Sequence, residues 1–330
     1  MRVLVTGANG FVGAALCRKL IERGDRVRGL VRSTSDLSLL EGMSIERVVG
    51  DLGDPSSLAK AARGVEIVYH VAAAVSDWGP LAYFRCVNVE GTRNMLEAAV
   101  QNGVARFVYV SSAAVHSFID VQDMDEQSPQ LPTPFPYCQS KREAETLVLG
   151  YHERKKITTT IVRPGDVYGP GDRVALLRLS KLLESGLMAY VGQGEKLGAF
   201  TYVENLADGL ILVGTVEQAA GEVYVITDGV RLTWRDYFEK LTSALGVPRP
   251  RISVSPALAW AIASTLESAY HLFCIRRRPP ITRYLVTHLS KDFYFSIDKA
   301  RRELGYEPRV GIDEAIEQTA KWYKEMVQGK

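Results

Sequence analysis

Short apolar runs rich in valine and isoleucine recur through the first half of the chain, separated by longer segments whose apolar residues lie three or four positions apart. Such runs are typical of strands buried on both faces of a parallel sheet, and the three-to-four spacing is typical of amphipathic helices. The predicted strands cover residues 2–6, 26–31, 44–49, 66–71, 106–111 and 158–163, and segments such as 11–23 and 88–102 are long enough for crossover helices. This alternation predicts an α/β fold with a Rossmann-type, doubly wound parallel sheet.

The regular alternation ends near Pro164, where clusters of glycine and proline begin at 165–171, 192–198 and 247–256. We therefore predict a sheet-containing domain over residues 1–165 and a smaller, mostly helical lobe over residues 166–330. An apolar run at 222–227 predicts one more strand of the main sheet, so that residues of about 200–228 return to the first domain.

The composition is that of an ordinary globular protein, with 46% hydrophobic and 24% charged residues. Lysine and arginine total 40 against 38 acidic residues, so the net charge of +2 offers no footprint for a nucleic acid, and a small molecule is the expected partner. The cysteines lack CxxC pairing and metal-ligand spacing, which argues against disulfides and against a metal site. The same cysteine pattern argues for a reducing compartment, so a cytoplasmic location is the default expectation, and a strand that begins within two residues of Met1 leaves no room for a signal peptide.

Three glycines, Gly7, Gly10 and Gly13, lie between the first predicted strand and the first predicted helix. Glycine permits a tight turn and a close approach to a diphosphate, and the free N–H groups of a helix N-terminus attract negative charge. The spacing alone is a weak signal, but in this strand-turn-helix position it predicts a dinucleotide-binding site. The residues expected to contact the nucleotide here are Gly7, Asn9, Gly10, Phe11, Val12 and Gly13.

The end of the second predicted strand carries Arg32, 19 residues after Gly13, where an NAD-binding chain has an acidic residue. A guanidinium there suits the 2′-phosphate of NADP(H) and can stack on adenine, so the position favours NADP(H) and leaves NAD(H) open. The alternative interpretation is a solvated loop arginine without a ligand. Further nucleotide contacts are expected from Asp51 and Leu52 at the adenine edge and from the small residues Val71, Ala72 and Ala73.

Tyr137 and Lys141 lie four residues apart in a segment with helical periodicity, so the Lys141 ammonium can approach the Tyr137 hydroxyl on one helix face. A cation there would stabilise the phenolate and lower the pKa of Tyr137 toward neutrality, which suits a general acid or base. At the end of the fifth predicted strand, alternation lets only one of Ser111 and Ser112 face the site, and we choose Ser112 to hydrogen-bond the reacting oxygen. The predicted catalytic residues are Ser112, Tyr137 and Lys141.

Taken in order along the chain, these motifs resemble those of the extended short-chain dehydrogenases/reductases over nearly the whole sequence. The resemblance rests on Gly7-x-x-Gly10-x-x-Gly13, Asp51-Leu52, His70-Val71-Ala72-Ala73, Asn88-Val89-Glu90-Gly91-Thr92, Ser111-Ser112, Tyr137-x-x-x-Lys141 and Arg163-Pro164. It implies that Asn88 supports the active-site region, that the backbone near Pro164 meets the nicotinamide carboxamide, and that Tyr137 and Lys141 also contact the cofactor. It further implies hydride transfer at the nicotinamide, coupled to proton transfer through Tyr137.

Residues 166–330 would then form the substrate lobe, in which two branches of this family differ. Sugar-nucleotide epimerases and dehydratases typically carry an Arg-Asp pair and an asparagine that grips the diphosphate; here Gly198 and Ala199 replace the pair, and the loop at 163–172 lacks the asparagine. The same stretches resemble the 3β-hydroxysteroid dehydrogenase branch, which includes the sterol-4α-carboxylate 3-dehydrogenases and bacterial reductases of long-chain 3-ketones.

The expected function is NAD(P)-dependent interconversion of a secondary alcohol and a ketone on a large apolar substrate. That substrate would be a 3β-hydroxysteroid or a long-chain 3-keto compound, and a sterol with a 4-carboxylate would lose carbon dioxide after oxidation at C3. A sugar-nucleotide epimerase or dehydratase is the enzymatic alternative. A catalytically idle NADP-binding sensor or scaffold is the alternative from another class, and the intact set of Ser112, Tyr137 and Lys141 argues against it.

The segment 256–275 has two helical faces and is followed by three consecutive arginines. One face carries Leu258, Ile262, Leu266, Tyr270 and Phe273, and another carries Ser264, Glu267 and His271. Its length could nominally cross a bilayer, but Glu267 and His271 argue against spanning. Peripheral contact with a membrane, with the arginines at lipid headgroups, is one interpretation. A helix that covers the pocket, or a subunit contact in a homodimer, is the other.

Overall fold

The computed structural model describes residues 1–186 and 188–328. Its strands are β1 (Arg2–Thr6), β2 (Arg26–Val31), β3 (Glu46–Val49), β4 (Ile67–His70), β5 (Arg106–Val110), β6 (Val121–Met124), β7 (Thr158–Pro164), β8 (Asp166–Tyr168), β9 (Ala189–Val191), β10 (Phe200–Tyr202), β11 (Val223–Ile226), β12 (Ile252–Val254) and β13 (Phe293–Phe295). Its α-helices are α1 (Phe11–Glu22), α2 (Pro55–Ala62), α3 (Leu81–Phe84), α4 (Gly91–Gln101), α5 (Pro136–Glu153), α6 (Ala175–Glu184), α7 (Val203–Thr215), α8 (Trp234–Leu245), α9 (Pro256–Leu272), α10 (Arg283–Leu289), α11 (Asp298–Leu304) and α12 (Ile312–Gln328). A π-helix, Arg85–Glu90, directly precedes α4.

The main sheet contains seven parallel strands in the order β3-β2-β1-β4-β5-β7-β11. The predicted α/β fold with a doubly wound, Rossmann-type sheet is confirmed. The chain adds β2 on one side of β1 and later adds β4 on the other, so a crevice opens where the carboxyl ends of β1 and β4 meet. The edge strand β11 comes from the second half of the chain, which therefore contributes to the sheet as well as to its own lobe.

Helices cover both faces of this sheet because the valine- and isoleucine-rich strands are apolar on both sides. On one face α1 and α7 pack together through side chains that include Leu16 and Leu210, both fully buried. On the other face α2, α4 and α5 pack through Leu58, Leu96 and Val148. The two cores hold the strand ends in place, and the loops after those ends form the candidate site.

The second lobe is built around an aromatic cluster in which Phe200 and Trp234 pack with α8 and α12. Short parallel pairs join β8 to β10, β9 to β12, and β6 to β13. The last of these pairs connects the two halves of the chain, because β6 belongs to the first 165 residues. In the part of the chain that the structure describes, no helix has the length and hydropathy needed to cross a bilayer.

Candidate active site

The glycine turn between β1 and α1 is packed too tightly for larger residues. Gly7 has a φ of 65°, in the left-handed region that favours glycine, and a Cβ on it would come within 2.9 Å of the Ala72 Cα. A Cβ on Gly13 would come within 2.1 Å of the Gly7 carbonyl oxygen. Gly10 precedes α1 and offers no side-chain cap, so the N–H groups of the first helical turn can bind the oxygens of a diphosphate. That turn begins with Phe11 and Val12.

Arg32 directly follows β2 with an exposed side chain, and no carboxylate within the described ranges forms an ion pair with it. The nearby Asp36 carboxylate is engaged instead by Arg173 and by the Ser38 hydroxyl. Asn9 donates to the Asp36 backbone oxygen at 3.2 Å, which ties the glycine turn to the loop after β2. An unpaired cation therefore stands at the position where the sequence predicts the ribose-binding residue.

Asp51 and Leu52, the predicted adenine-edge residues, lie in the loop between β3 and α2. The Asp51 Oδ1 accepts from the Gly53 N–H at 2.8 Å, so one of the two carboxylate oxygens is already hydrogen-bonded within its own loop. Leu52 packs against Gly91 at the start of α4, where a Cβ would come within 2.9 Å of the Leu52 Cβ.

A buried series of side-chain hydrogen bonds lies behind the glycine turn and fixes the position of the end of β4. The Thr92 hydroxyl donates to the Asn88 carbonyl at 2.6 Å and therefore accepts from the His70 Nε2, 3.0 Å away. The His70 Nδ1 is left to accept from the Thr6 hydroxyl at 3.0 Å, and that hydroxyl accepts from the Ala72 N–H at 3.1 Å. Burial, followed by the positive charge of Lys141, lowers the pKa of His70 to about 3. The ring therefore stays neutral, and each group in this series keeps its role as hydrogen-bond donor or acceptor.

Asn88 connects the loop after β4 to helix α5. Its Oδ1 accepts from the Ala74 N–H at 2.7 Å, and its Nδ2 donates to the Ala74 carbonyl at 3.1 Å and to the Ser140 hydroxyl at 3.0 Å. The Ser140 hydroxyl in turn donates to the Tyr137 carbonyl at 2.8 Å. The predicted helix over 88–102 differs here, since Asn88 lies in the π-helix and the α-helix begins only at Gly91.

The structure brings Ser112 and Tyr137 together. Ser112 follows β5 in an extended conformation and is partly buried, and its hydroxyl accepts from the Ala114 N–H at 3.2 Å. It lies close enough to Tyr137, in the first turn of α5, to lower the pKa of that phenol. Ser111, by contrast, is buried, and its hydroxyl has no partner within the described ranges. The centre of the Phe84 ring lies 6.3 Å from the centre of the Tyr137 ring, and the two rings make an edge-to-face contact. Ser112, rather than Ser111, is therefore the serine that faces the tyrosine.

Lys141 lies one turn further along α5, but its ammonium is directed at β5. It donates to the Val110 carbonyl at 2.7 Å and stands 4.3 Å from the centre of the Tyr109 ring. Burial lowers the pKa of Lys141 to about 7. Burial also raises the pKa of Tyr137 to about 12, against the opposite effect of Ser112.

The structure thus differs from the expectation that Lys141 brings the pKa of Tyr137 toward neutrality. Burial penalises the charged forms of both groups, and for Tyr137 this penalty outweighs the opposite effect of Ser112 on its pKa. At neutral pH the protein's own groups therefore leave Tyr137 protonated, ready to donate a proton to an oxygen beside Ser112.

Helix α5 is fixed to β7 by a buried ion pair. Arg163 donates through Nε to the Glu145 Oε1 at 2.9 Å and through Nη2 to the Oε2 at 2.7 Å, and both side chains are at most 5% exposed. The Arg163 Nη1 also donates to the Glu126 carbonyl at 2.9 Å. Pro164, the next residue and the last of β7, is buried beside this pair. The pair therefore keeps the helix that carries Tyr137 in register with the strand end at Pro164.

A cavity of about 560 Å³ lies in front of α5 and reaches Pro136, the residue before Tyr137. Its wall is largely aromatic and proline-rich, and includes Trp78, Phe118, Phe135 and Trp260. Two carboxylates, those of Asp77 and Glu267, also line it, and each is already bound by a neighbouring arginine.

A model of the NAD dependent epimerase/dehydratase family matches residues 3–227, more than half of the chain. The chain belongs to that family. Its fold is that of the extended short-chain dehydrogenases/reductases, and members of the family bind NAD(P).

Three relatives of this epimerase/dehydratase family member cover nearly its whole length. It is 33% identical to the 2-alkyl-3-oxoalkanoate reductase of Stenotrophomonas maltophilia (strain K279a), over 96% of this chain and 97% of the relative. It is also 33% identical to the 3-beta-hydroxysteroid dehydrogenase of Mycolicibacterium neoaurum, over 98% and 92%. A solved dTDP-glucose 4,6-dehydratase of Streptomyces venezuelae, which contains NAD, superposes with a TM-score of 0.79 at 28% identity, over 98% of this chain and 97% of that one.

The residues of this family member fit a dinucleotide. The glycines let the backbone approach closely, the first turn of α1 can bind an anion, and Arg32 supplies an unpaired cation. Sequence reasoning assigned no role to His70 or to the Glu145–Arg163 pair. These residues could have been found from the sequence because each is a polar residue inside or beside an apolar run. A polar side chain that is buried in a strand or helix needs a hydrogen-bonding partner.

Proposed function

We propose that this protein interconverts a secondary alcohol and a ketone on a large apolar substrate, with NADP(H) preferred and Tyr137 as the proton-transferring residue. The observation that supports the substrate class is the wall of the cavity. Aromatic and proline side chains form most of it, and its volume suits a drug-sized or sterol-sized molecule.

The charges in this cavity argue against a sugar nucleotide. Among its lining residues in the described ranges, Arg283 is the one lysine or arginine, and Glu267 neutralises it. Although burial opposes the shift, hydrogen bonds from Arg278 and Thr282 lower the pKa of Asp77, so this carboxylate is ionised at neutral pH. Both carboxylates are thus paired with arginines, and a nucleoside diphosphate would find no free cation in this wall to bind its phosphates.

The chain's own residues provide the proton chemistry. When bound, a nicotinamide supplies or accepts the hydride. The Ser112 hydroxyl holds the substrate oxygen, and the protonated Tyr137 gives that oxygen its proton during reduction. In the opposite direction Tyr137 must first pass its own proton to solvent or to another base before it can take the proton of the alcohol. Lys141, held at the Val110 carbonyl, places a basic group one turn behind Tyr137.

The names of two relatives support the same class of chemistry, since one reduces a 2-alkyl-3-oxoalkanoate and the other dehydrogenates a 3β-hydroxysteroid. We infer that the substrate of this chain carries its ketone or alcohol at a comparable 3-position, on a steroid or on a long alkyl chain. A 4-carboxysterol belongs to this class, because oxidation at C3 would give a β-keto acid that can lose carbon dioxide.

A panel of substrates tests this proposal. Oxidation of NADPH is followed with 3-ketosteroids, long-chain 3-oxo acids and sugar nucleotides, and the reverse reaction is followed with the matching alcohols. We expect kcat/KM for at least one apolar ketone to exceed that for any sugar nucleotide by at least about a hundredfold. Turnover of sugar nucleotides alone would overturn the substrate class, and cofactor binding without turnover of any compound would favour an idle sensor or scaffold.

The replacement Arg32→Glu tests the cofactor preference. We expect the preference for NADPH over NADH to fall by about 10–100-fold, because a hydrogen-bonded charge pair with the 2′-phosphate is replaced by repulsion. The measurement is kcat/KM for each cofactor. Arg26→Glu is the matched control, since this exposed arginine begins the same strand at its opposite end. An unchanged ratio in Arg32→Glu would mean that Arg32 is a solvated loop residue.

A further inference from the structure

Helix α9 turns its polar side toward the protein. Ala259, Ala263 and Glu267 form its buried line. Glu267 accepts from the backbone N–H of Arg283 at 2.7 Å and from its Nε at 2.5 Å. On the same side, the His271 ring lies 4.7 Å from the ring of Trp78. Glu267 and His271, which the sequence pattern places on a polar face, therefore contact the rest of the fold, as does Tyr270 of the predicted apolar face.

The opposite side of α9 leaves large apolar side chains in solvent. We define the α9 face as the exposed residues Leu258, Ile262, Leu272 and Phe273, together with Ile275 just after the helix. Leu272 is 77% exposed and Phe273 71% exposed, far more than a helix with an inward apolar face would show. A cluster of this kind on a folded surface marks an interaction site.

Cations lie at both ends of the α9 face. Arg251 precedes the helix, Arg276 and Arg277 follow it, and all three are exposed. No carboxylate within the described ranges forms an ion pair with any of them. A helix of 17 residues is about 25 Å long, so the cations border the apolar residues at opposite ends.

This charge pattern favours an anionic surface over a second copy of the chain. A two-fold contact through the α9 face would bring arginines of the two copies together, whichever way the helices run. Glu267 is the single acidic residue between positions 248 and 282, and it is buried, so the face offers no carboxylate to offset the repulsion. Anionic lipid headgroups complement the arginines, and the acyl region complements the apolar side chains.

The same helix borders the substrate cavity. Trp260 and His271 contribute to the cavity wall, and the Trp260 side chain is also 49% exposed to solvent. Tryptophan is favoured at a boundary between water and lipid, because its ring is apolar and its N–H is polar.

We propose that α9 docks this protein on the surface of an anionic lipid bilayer, so that an apolar substrate passes from the lipid into the cavity. The docking itself does not depend on the chemistry of the site. Only the identity of what is delivered rests on the proposed function.

Sedimentation of the full chain with its cofactor and lipid vesicles tests the proposal. We expect binding to vesicles of equal parts phosphatidylcholine and phosphatidylglycerol, weaker binding to phosphatidylcholine alone, and loss of the difference at high salt. The double variant Leu258→Ser, Leu272→Ser should bind at least about tenfold less strongly. The variant Arg276→Gln, Arg277→Gln should lose about tenfold on the anionic vesicles only.

Leu182→Ser, which alters an exposed leucine of helix α6, is the matched control and should bind as the parent does. Thermal melting and NADPH binding, measured for every variant, show whether each is folded. Protein that stays in the supernatant with every vesicle would overturn the proposal. So would a stable dimer, seen by light scattering, that the Leu258→Ser, Leu272→Ser variant loses. Vesicle binding without turnover of any apolar ketone would contradict the proposed function and leave the docking intact.

Discussion

Replacing Tyr137 with phenylalanine is expected to lower kcat by about 10²–10⁴-fold while NADPH affinity changes by no more than about twofold. The substitution removes the phenol proton but keeps the ring, so the contact with Phe84 and the backbone bond from Ser140 both remain. The loss should therefore fall on proton transfer and leave the fold intact. Steady-state rates with a ketone substrate give the first quantity, and titration of NADPH fluorescence gives the second.

Tyr83→Phe provides the control for this experiment. Tyr83 is an exposed tyrosine of α3, and loss of its hydroxyl should leave kcat unchanged. An equal loss of kcat and NADPH affinity in Tyr137→Phe would contradict the assignment, because a proton donor can be removed without weakening the cofactor site.

Arg163→Ala is expected to lower the free energy of unfolding by about 3–5 kcal/mol, the largest stability effect that we expect from a single substitution in this chain. The change leaves the Glu145 carboxylate buried with one remaining side-chain partner, the Gln130 amide at 3.1 Å. It also removes the donor to the Glu126 carbonyl, which holds the loop between β6 and α5. Urea denaturation at neutral pH, followed by circular dichroism, measures the effect.

Two further variants show whether burial is the cause. Arg231→Ala breaks an exposed pair with Asp123 and should cost no more than about 1 kcal/mol. The double replacement Arg163→Met, Glu145→Leu removes both buried charges and should recover part of the stability lost in Arg163→Ala. If Arg163→Ala costs no more than Arg231→Ala, the buried pair does not support helix α5.

The parts of this molecule that follow from local patterns were predictable from the sequence. The strand runs gave the central sheet because apolar residues on both faces suit few other environments, and the glycine turn followed from its place between β1 and α1. Strand alternation is a local rule that let Ser112 be chosen over Ser111, and Ser112 is the serine that lies near Tyr137, although its catalytic role stays a prediction.

The remainder depends on contacts between distant segments. The direction of the Lys141 ammonium is set by the Val110 carbonyl, 31 residues earlier, and the resulting pKa depends on burial that spacing does not report. Helical periodicity indicated two faces of α9, but which side chains are buried depends on distant partners, since Arg283 binds Glu267 and Trp78 contacts both Tyr270 and His271. The π-helix before α4 forms around Asn88, whose partners Ala74 and Ser140 come from two other segments.

The buried amine at position 141 also links catalysis to the tolerance of the protein for acid and alkali. Its pKa falls from the ordinary 10.5 to about 7 on folding, so between these values the unfolded chain holds a proton that the folded chain lacks. Unfolding therefore takes up a proton in this interval, and the folded state gains stability as the pH rises from about 7 toward 10.5, while the full penalty of the buried charge applies below about 7. If selection acted on stability alone, this lysine would be replaced by an apolar residue. Retention of the lysine among related proteins would therefore indicate that selection also acts on turnover.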